Sequence, residues 1–161
     1  MKKRGFTLIE LLIVIAIIAI LAAIVFVALD PLKRFRDARD SRRFADIAAI
    51  LSAIRVNQVD NGGNYITAIG GLTAATNYMI GTNTGGTCIT NTPCAVTVTN
   101  GNCVDLTELK DDGYLGTVPE SPAESGTWGP GKTGYYLVKN ANNSITVGAC
   151  EAGTGAITLT R

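Results

Sequence analysis

Residues 1–30 read MKKRGFTLIELLIVIAIIAILAAIVFVALD. From Leu11 to Leu29 the chain carries no charge, no proline and no glycine. At ~1.5 Å per residue, such a run reaches across a hydrocarbon core of ~30 Å. It is rich in Ile, Leu, Val and Ala and has no polar face, so it reads as a membrane segment and not as one side of a soluble bundle. One residue interrupts the pattern. Glu10 places a carboxylate at the front edge, where its cost is below the ~2.5–3.5 kcal/mol of a charge at the centre of a membrane helix, but where it still calls for a partner or a function.

An ordinary secretory signal should have a shorter apolar part and an A-x-A-like end. Here the run passes directly into LKRFRDARDSRR, residues 32–43, with no small-x-small site and no nearby cysteine for lipid attachment. A plain single-pass anchor accounts for the length and leaves Glu10 unexplained.

The letters around Glu10 point elsewhere. KKRGFTLIELL, residues 2–12, closely resembles the class III leader of type IV pilins and the related pseudopilins. The resemblance implies a basic leader, Lys2, Lys3 and Arg4, ending in Gly5 and cut off by a membrane peptidase on the cytoplasmic side. It implies N-methylation of the new first residue, Phe6, and an assembly role for Glu10 four positions later. A free α-amine has a reference pKa of ~7.7–8 and is cationic at neutral pH. Glu10 of an incoming subunit could therefore pair with the Phe6 amine of one already assembled, and the first-turn carboxylate also favours the positive end of its own helix dipole. The family often carries a helix-bending proline inside the apolar segment; this chain has none before Pro31.

Asp30 suits an N-cap and Pro31 a first helical position, so the pair can restart a helix. Over residues 31–60, Phe44, Ile47, Ala48, Leu51 and Ile54 recur at three- and four-residue steps, and Phe35 and Ala38 extend the stripe backwards. Asp30 with Arg34, Arg36 with Asp40 and Arg42 with Asp46 are i,i+4 pairs, each bringing ~0.2–0.5 kcal/mol. Asp60-Asn61-Gly62-Gly63 is a stop signal. The basic flank at 33–43 sits on the side that the positive-inside rule keeps poor in Lys and Arg. The stem sequence running into VDNGGNY, and later YLGTVPESP followed by GYYLVKN, also resemble pilin and pseudopilin segments.

The remainder is rich in Gly, Thr and Asn. A helix is expected within 68–78, a short strand at AVTVT (95–99) and one helical turn at Asp105–Leu109. The clearest strands are TGYYLVKN, NSITVGAC and GAITLT, joined by turn-forming NANN and EAGTG, which predicts two successive hairpins. Their apolar face would pack on the helical stripe. Cys88, Cys94, Cys103 and Cys150 all lie in this half, and in an exported chain an even set reads as disulfides. Four cysteines allow three connectivities. Cys88–Cys94 and Cys103–Cys150 are favoured, because the first pair is local and Cys150 ends a strand.

No catalytic constellation emerges. Histidine is absent, which removes the commonest general base and metal ligand. GPGKTG (129–134) fails as a phosphate loop, since it holds Pro130 and leads into a strand. Asp111, Asp112, Glu120 and Glu124 offer hard oxygen ligands but no calcium-loop spacing. Trp128, Tyr135 and Tyr136 read as packing residues or an exposed sheet edge and not as an adhesive site. No cofactor or metal is expected, and with Lys and Arg at 14 against Asp and Glu at 13 there is no overall basic field for nucleic acid.

The expected fold is α+β. A leader (1–5) precedes a membrane and assembly helix (6–29), an amphipathic helix (30–60) and a head (61–161) with a small antiparallel sheet and disulfides. The resemblance implies a non-enzymatic subunit that first sits in the inner membrane and then polymerises into an extracellular helical filament for adhesion, motility or DNA uptake. Its partners would be copies of itself, the membrane, a prepilin peptidase and methyltransferase, and an inner-membrane assembly platform. A pseudopilin of a type II secretion system and a non-polymerising membrane-anchored binding protein are the alternatives.

Overall fold

A computed structural model describes residues 5–84, 88, 94, 96–98, 101, 103–153 and 155–161. The chain forms two compact units, Met1–Arg36 and Asp37–Arg161. The fold is α+β, with long N-terminal helix, an antiparallel sheet of four strands and two disulfides.

Helix α1 spans Leu8–Leu29, and none of its residues is buried. It is long and apolar enough to cross a membrane. It stops at Asp30, whose backbone turns left-handed at φ 37°. Asp30 then serves as the entry to α2 (Pro31–Asp60): its carboxylate accepts from the Lys33 amide at 3.4 Å and its carbonyl from the Arg34 amide at 3.3 Å. Pro31 has no N–H to satisfy at this position, which is why the helix can begin on it. At the far end Gly62 and Gly63 have φ of 64° and 91°, and the Gly63 amide returns to the Gln58 carbonyl at 2.7 Å. That is the glycine stop expected of DNGG.

In the second unit the sheet runs β1 (Asn77–Met79), β2 (Tyr135–Lys139), β3 (Ile145–Ala149), β4 (Thr158–Thr160), each strand antiparallel to its neighbour. The β2–β3 and β3–β4 hairpins match the expected strands, with Asn143 at φ 62° in the first turn. β1 was not anticipated. A helix expected across 68–78 covers only α3, Thr67–Gly70, and Asn77–Met79 instead pairs with Tyr136–Val138. A short helix α4, Thr107–Asp111, lies where one turn was expected, its first amide bound by Asp105 at 2.8 Å. The AVTVT strand lies partly outside the described residues.

The core is where α2 meets the sheet. Ile47, Ile50, Leu51 and Ile54 are fully buried with Tyr135, Leu137, Ile145 and Val147. Each such aliphatic side chain brings ~1.5–3 kcal/mol relative to exposure. The expected stripe needs one correction. Phe44 is 52% exposed, whereas Arg43 is 0% exposed and occupies the inward position. The buried face steps through 43, 47, 50, 54 and 57, which leaves Phe44 at its edge. An arginine is tolerated inside because oxygens of the head bind its guanidinium (below).

The expected cysteine pairing is also overturned. The disulfides join Cys88 to Cys103 and Cys94 to Cys150. Tertiary hydrogen bonds decide this. The Cys88 amide donates to Gly101 and the Cys103 amide to Asn83, so the strands of chain carrying Cys88 and Cys103 run side by side. Cys94 is drawn instead into a second apolar cluster with Met79, Val98, Tyr136 and Cys150. The links span 15 and 56 residues, worth about 3 and about 4 kcal/mol in the chain-entropy picture, more than a local loop would bring.

Candidate functional site

Two groups of residues are candidates: the entry to α1 and a buried charge cluster in the head.

Gly5, Phe6 and Thr7 precede the first helical turn and are exposed. A Cβ on Gly5 would meet nothing within 4 Å, so the Gly5–Phe6 peptide bond is open to solvent on the glycine side. Thr7 is the N-cap of α1, with extended backbone. Its amide donates to Glu10 Oε2 at 2.9 Å, its hydroxyl to the same oxygen at 2.8 Å, and the Glu10 amide donates to Thr7 Oγ1 at 3.3 Å. This is a reciprocal capping box. It satisfies two of the helix's free amides and holds the carboxylate against the positive end of the dipole. Thr7 was missed by the sequence reading, although the four letters T-L-I-E carry the S/T-x-x-E signature. Glu10 thus has a local partner in the single chain, Thr7, the residue next to Phe6 in sequence.

In the head, Arg43 gathers five acceptors. Its Nη1 donates to Asp40 at 2.8 Å and to Glu124 at 3.5 Å, and Nη2 to the Pro122 carbonyl at 2.9 Å. Its Nε reaches the Ser121 hydroxyl at 3.2 Å, and Nη2 lies 3.5 Å from Glu151 Oε2. Asp40 also accepts from the Gly153 amide at 3.0 Å. Glu151 is itself buried and takes donors from the Ser125 hydroxyl at 2.6 Å, the Gly126 amide at 2.7 Å, the Ser125 amide at 2.8 Å, Trp128 Nε1 at 2.9 Å and the Glu124 amide at 3.2 Å. Burial acts to raise its pKa, but the hydrogen bonds from Ser125, Trp128 and Gly126 outweigh it and bring the carboxyl down to about 2. Nearby, Tyr135 donates to Asp46 at 2.6 Å; burial first and the Asp46 carboxylate second hold its phenol well above the ordinary range.

These groups fasten α2 to the connector at 121–128 and to the end of β3. Every donor and acceptor named is engaged within this unit, so the cluster holds its shape. Glu124, one of the oxygen ligands considered above, is held by Arg39 at 3.7 Å and Arg43 at 3.5 Å. Of the two settings the sequence left open, the structure shows packing and internal bonding for Trp128, Tyr135 and Tyr136, and neither tyrosine is exposed.

The entry to α1 is therefore the site where this chain departs from an ordinary helical anchor. Searches of curated proteins and of solved structures found no match to the chain. A family model described as "Prokaryotic N-terminal methylation motif" matches residues 1–26. The match spans Gly5 and Phe6, the capping box and most of α1. The apolar helix together with this motif fits membrane anchoring. The chain carries at residues 1–26 the prokaryotic N-terminal methylation motif, the class III prepilin leader of type IV pilins and pseudopilins.

Proposed function

We propose that this chain is a type IV pilin subunit, cut between Gly5 and Phe6, methylated on Phe6, and polymerised through α1 into an extracellular filament used for adhesion, motility or DNA uptake. The observation that carries the proposal is the coincidence of the methylation motif with a carboxylate at the first turn of a 22-residue apolar helix. Leader, peptidase, methyltransferase and assembly platform belong to that one route. The work of the subunit would be structural, with no reaction of its own.

The capping box refines how Glu10 would act. In the single chain its carboxylate is bound by Thr7. Within a filament the cationic amine of a neighbour's Phe6 would add a charged partner that a threonine cannot supply. With both donor and acceptor charged, the pair would add a Coulomb attraction that grows as the effective dielectric falls. The docking contact would thereby set one axial register for each added subunit.

Glu10→Gln is the test. Glutamine at this position also completes a capping box, so the variant keeps the helix entry and removes only the charge. Filaments should be lost while membrane insertion and leader cleavage persist. A membrane-anchored binding protein would keep its surface level and function instead. Sheared appendages from the native cell should yield N-methyl-phenylalanine followed by TLIE. Retention of Met1 in the mature chain, or normal fibres from Glu10→Gln, would overturn the reading.

A pseudopilin of a type II secretion system is the second reading, favoured by the stem's DNGGNY. In the head Tyr65 of that sequence donates to the Asn143 carbonyl and receives Arg55 at 3.5 Å, tying the end of α2 to the β2–β3 turn. A secretion defect without surface fibres in a strain lacking the chain would select it.

A further inference from the structure

The basic flank past α1 has no part in the function proposed above. Residues 31–43 hold six basic and two acidic side chains, whereas 44–161 hold five basic and nine acidic. Of the six basic residues, Arg36 has a partner of its own and the other five divide into two sets. Arg39, Arg42 and Arg43 pair with Glu124, Asp46, Asp40 and Glu151 inside the head. Lys33 and Arg34 are exposed and, among the described residues, enter no ion pair. Of the two acids within a helical turn, Asp30 accepts from the Lys33 backbone amide at 3.4 Å, and neither Asp30 nor Asp37 forms an ion pair with Lys33 or Arg34.

Depth selects their partner. The 22 residues of α1 would measure about 33 Å at ~1.5 Å per residue, close to a hydrocarbon core of ~30 Å. Lys33 and Arg34 lie only four and five positions beyond Leu29, about 6–8 Å along a helix. The polar headgroup layer on one side of a bilayer is roughly as thick as that. On either side of them Leu32 and Phe35 are 69% and 63% exposed, apolar residues at the boundary where a membrane surface would cover them. The leader's Lys2, Lys3 and Arg4 belong on the cytoplasmic side, so this second basic group must be exported at a cost. A cost of that kind is offset where the translocated charges gain anions on arrival.

We propose that Lys33 and Arg34, flanked by Leu32 and Phe35, form a collar that binds the phosphate headgroups of anionic glycerophospholipid in the outer leaflet. The collar holds the waiting subunit at a set depth. A nucleic-acid duplex presents the same phosphate chemistry but would leave Leu32 and Phe35 uncovered, so lipid is favoured. The inference rests on the membrane-anchored subunit of the preceding section and not on polymerisation.

The full chain, purified in neutral detergent, is mixed with equal amounts of phosphatidylglycerol and phosphatidylcholine of matched acyl chains, and retained lipids are counted by native mass spectrometry. Phosphatidylglycerol should be kept in roughly tenfold excess or more. Lys33→Gln and Arg34→Gln should each reduce that excess about fivefold, as expected for one charge at an anionic surface. The charge-keeping pair Lys33→Arg with Arg34→Lys should retain it, which separates lost charge from a damaged fold. Inorganic phosphate at the same concentration should not displace the lipid. Equal retention of the two lipids, an undiminished excess in the double Gln variant, or displacement by phosphate or by a short DNA duplex would overturn the collar. Because only the monomer is measured, absence of filaments in Glu10→Gln leaves this result standing on its own.

Discussion

The guanidinium of Arg43, fully buried on α2, lies 3.5 Å from the carboxylate of Glu151, the residue that follows the Cys150 disulfide. The stem and the last hairpin are thereby joined by a buried ion pair, and each partner carries further hydrogen bonds that satisfy it. Removing Arg43 takes from Asp40, Glu124 and Glu151 the buried cation that all three share. Arg43→Met should therefore destabilise the head by about 3–5 kcal/mol. Urea unfolding of the full chain in detergent, followed by Trp128 fluorescence, measures it; a loss below about 1 kcal/mol would show the cluster to be marginal.

Acid should weaken the same contact with a defined sign. Glu151 has its carboxyl at about 2 in the folded head against 4.5 as the ordinary value. Above about 4.5 the carboxylate is ionised in both states and its contribution is complete. As the pH falls from 4.5 toward 2 the unfolded chain takes up the proton first, and the contribution, of order 3 kcal/mol, disappears. Stability measured across this window should drop in the native chain, and Glu151→Gln should flatten that limb while lowering the plateau at neutral pH.

Thr7 predicts a local effect at the entry to α1. Thr7→Ala removes the hydroxyl that caps the Glu10 amide and bonds its carboxylate. Loss of an N-cap costs about 1 kcal/mol. Amide exchange at Leu8 to Glu10 in detergent micelles should speed up roughly fivefold, with exchange in the middle of α1 unchanged.

Peptide mapping without reduction should recover Cys88 linked to Cys103 and Cys94 linked to Cys150. Replacing the second pair by serine should cost more stability than replacing the first, by about 1 kcal/mol, because it opens the longer loop. A Cys88–Cys94 peptide would refute the arrangement.

Gly134 predicts a steric failure. Its φ is 78°, and a Cβ there would meet the Trp128 ring at 2.6 Å and Ser121 at 2.8 Å. Gly134→Ala should destabilise the head by about 2 kcal/mol or more, from left-handed backbone strain and overpacking together. Unfolding midpoints compared with an alanine at Gly116, where nothing lies within 4 Å, separate this from a general glycine effect.

Sequence alone determined the features set by neighbours along the chain. The long apolar helix follows from composition, its restart at Asp30-Pro31 and stop at Gly62-Gly63 from backbone chemistry, and the β2–β3–β4 hairpins from turn residues between alternating strands. The motif at 1–26 is equally local. Tertiary structure decided what depends on partners far away in sequence. Arg43 displaced Phe44 from the core because acceptors from 121–151 converge on one guanidinium, and no helical periodicity can announce that. β1 exists because the edge of β2 needed a partner, and the cysteines paired by which loops the sheet brought together. Local propensities act over a turn or a hairpin; burial and charge pairing act across the whole head.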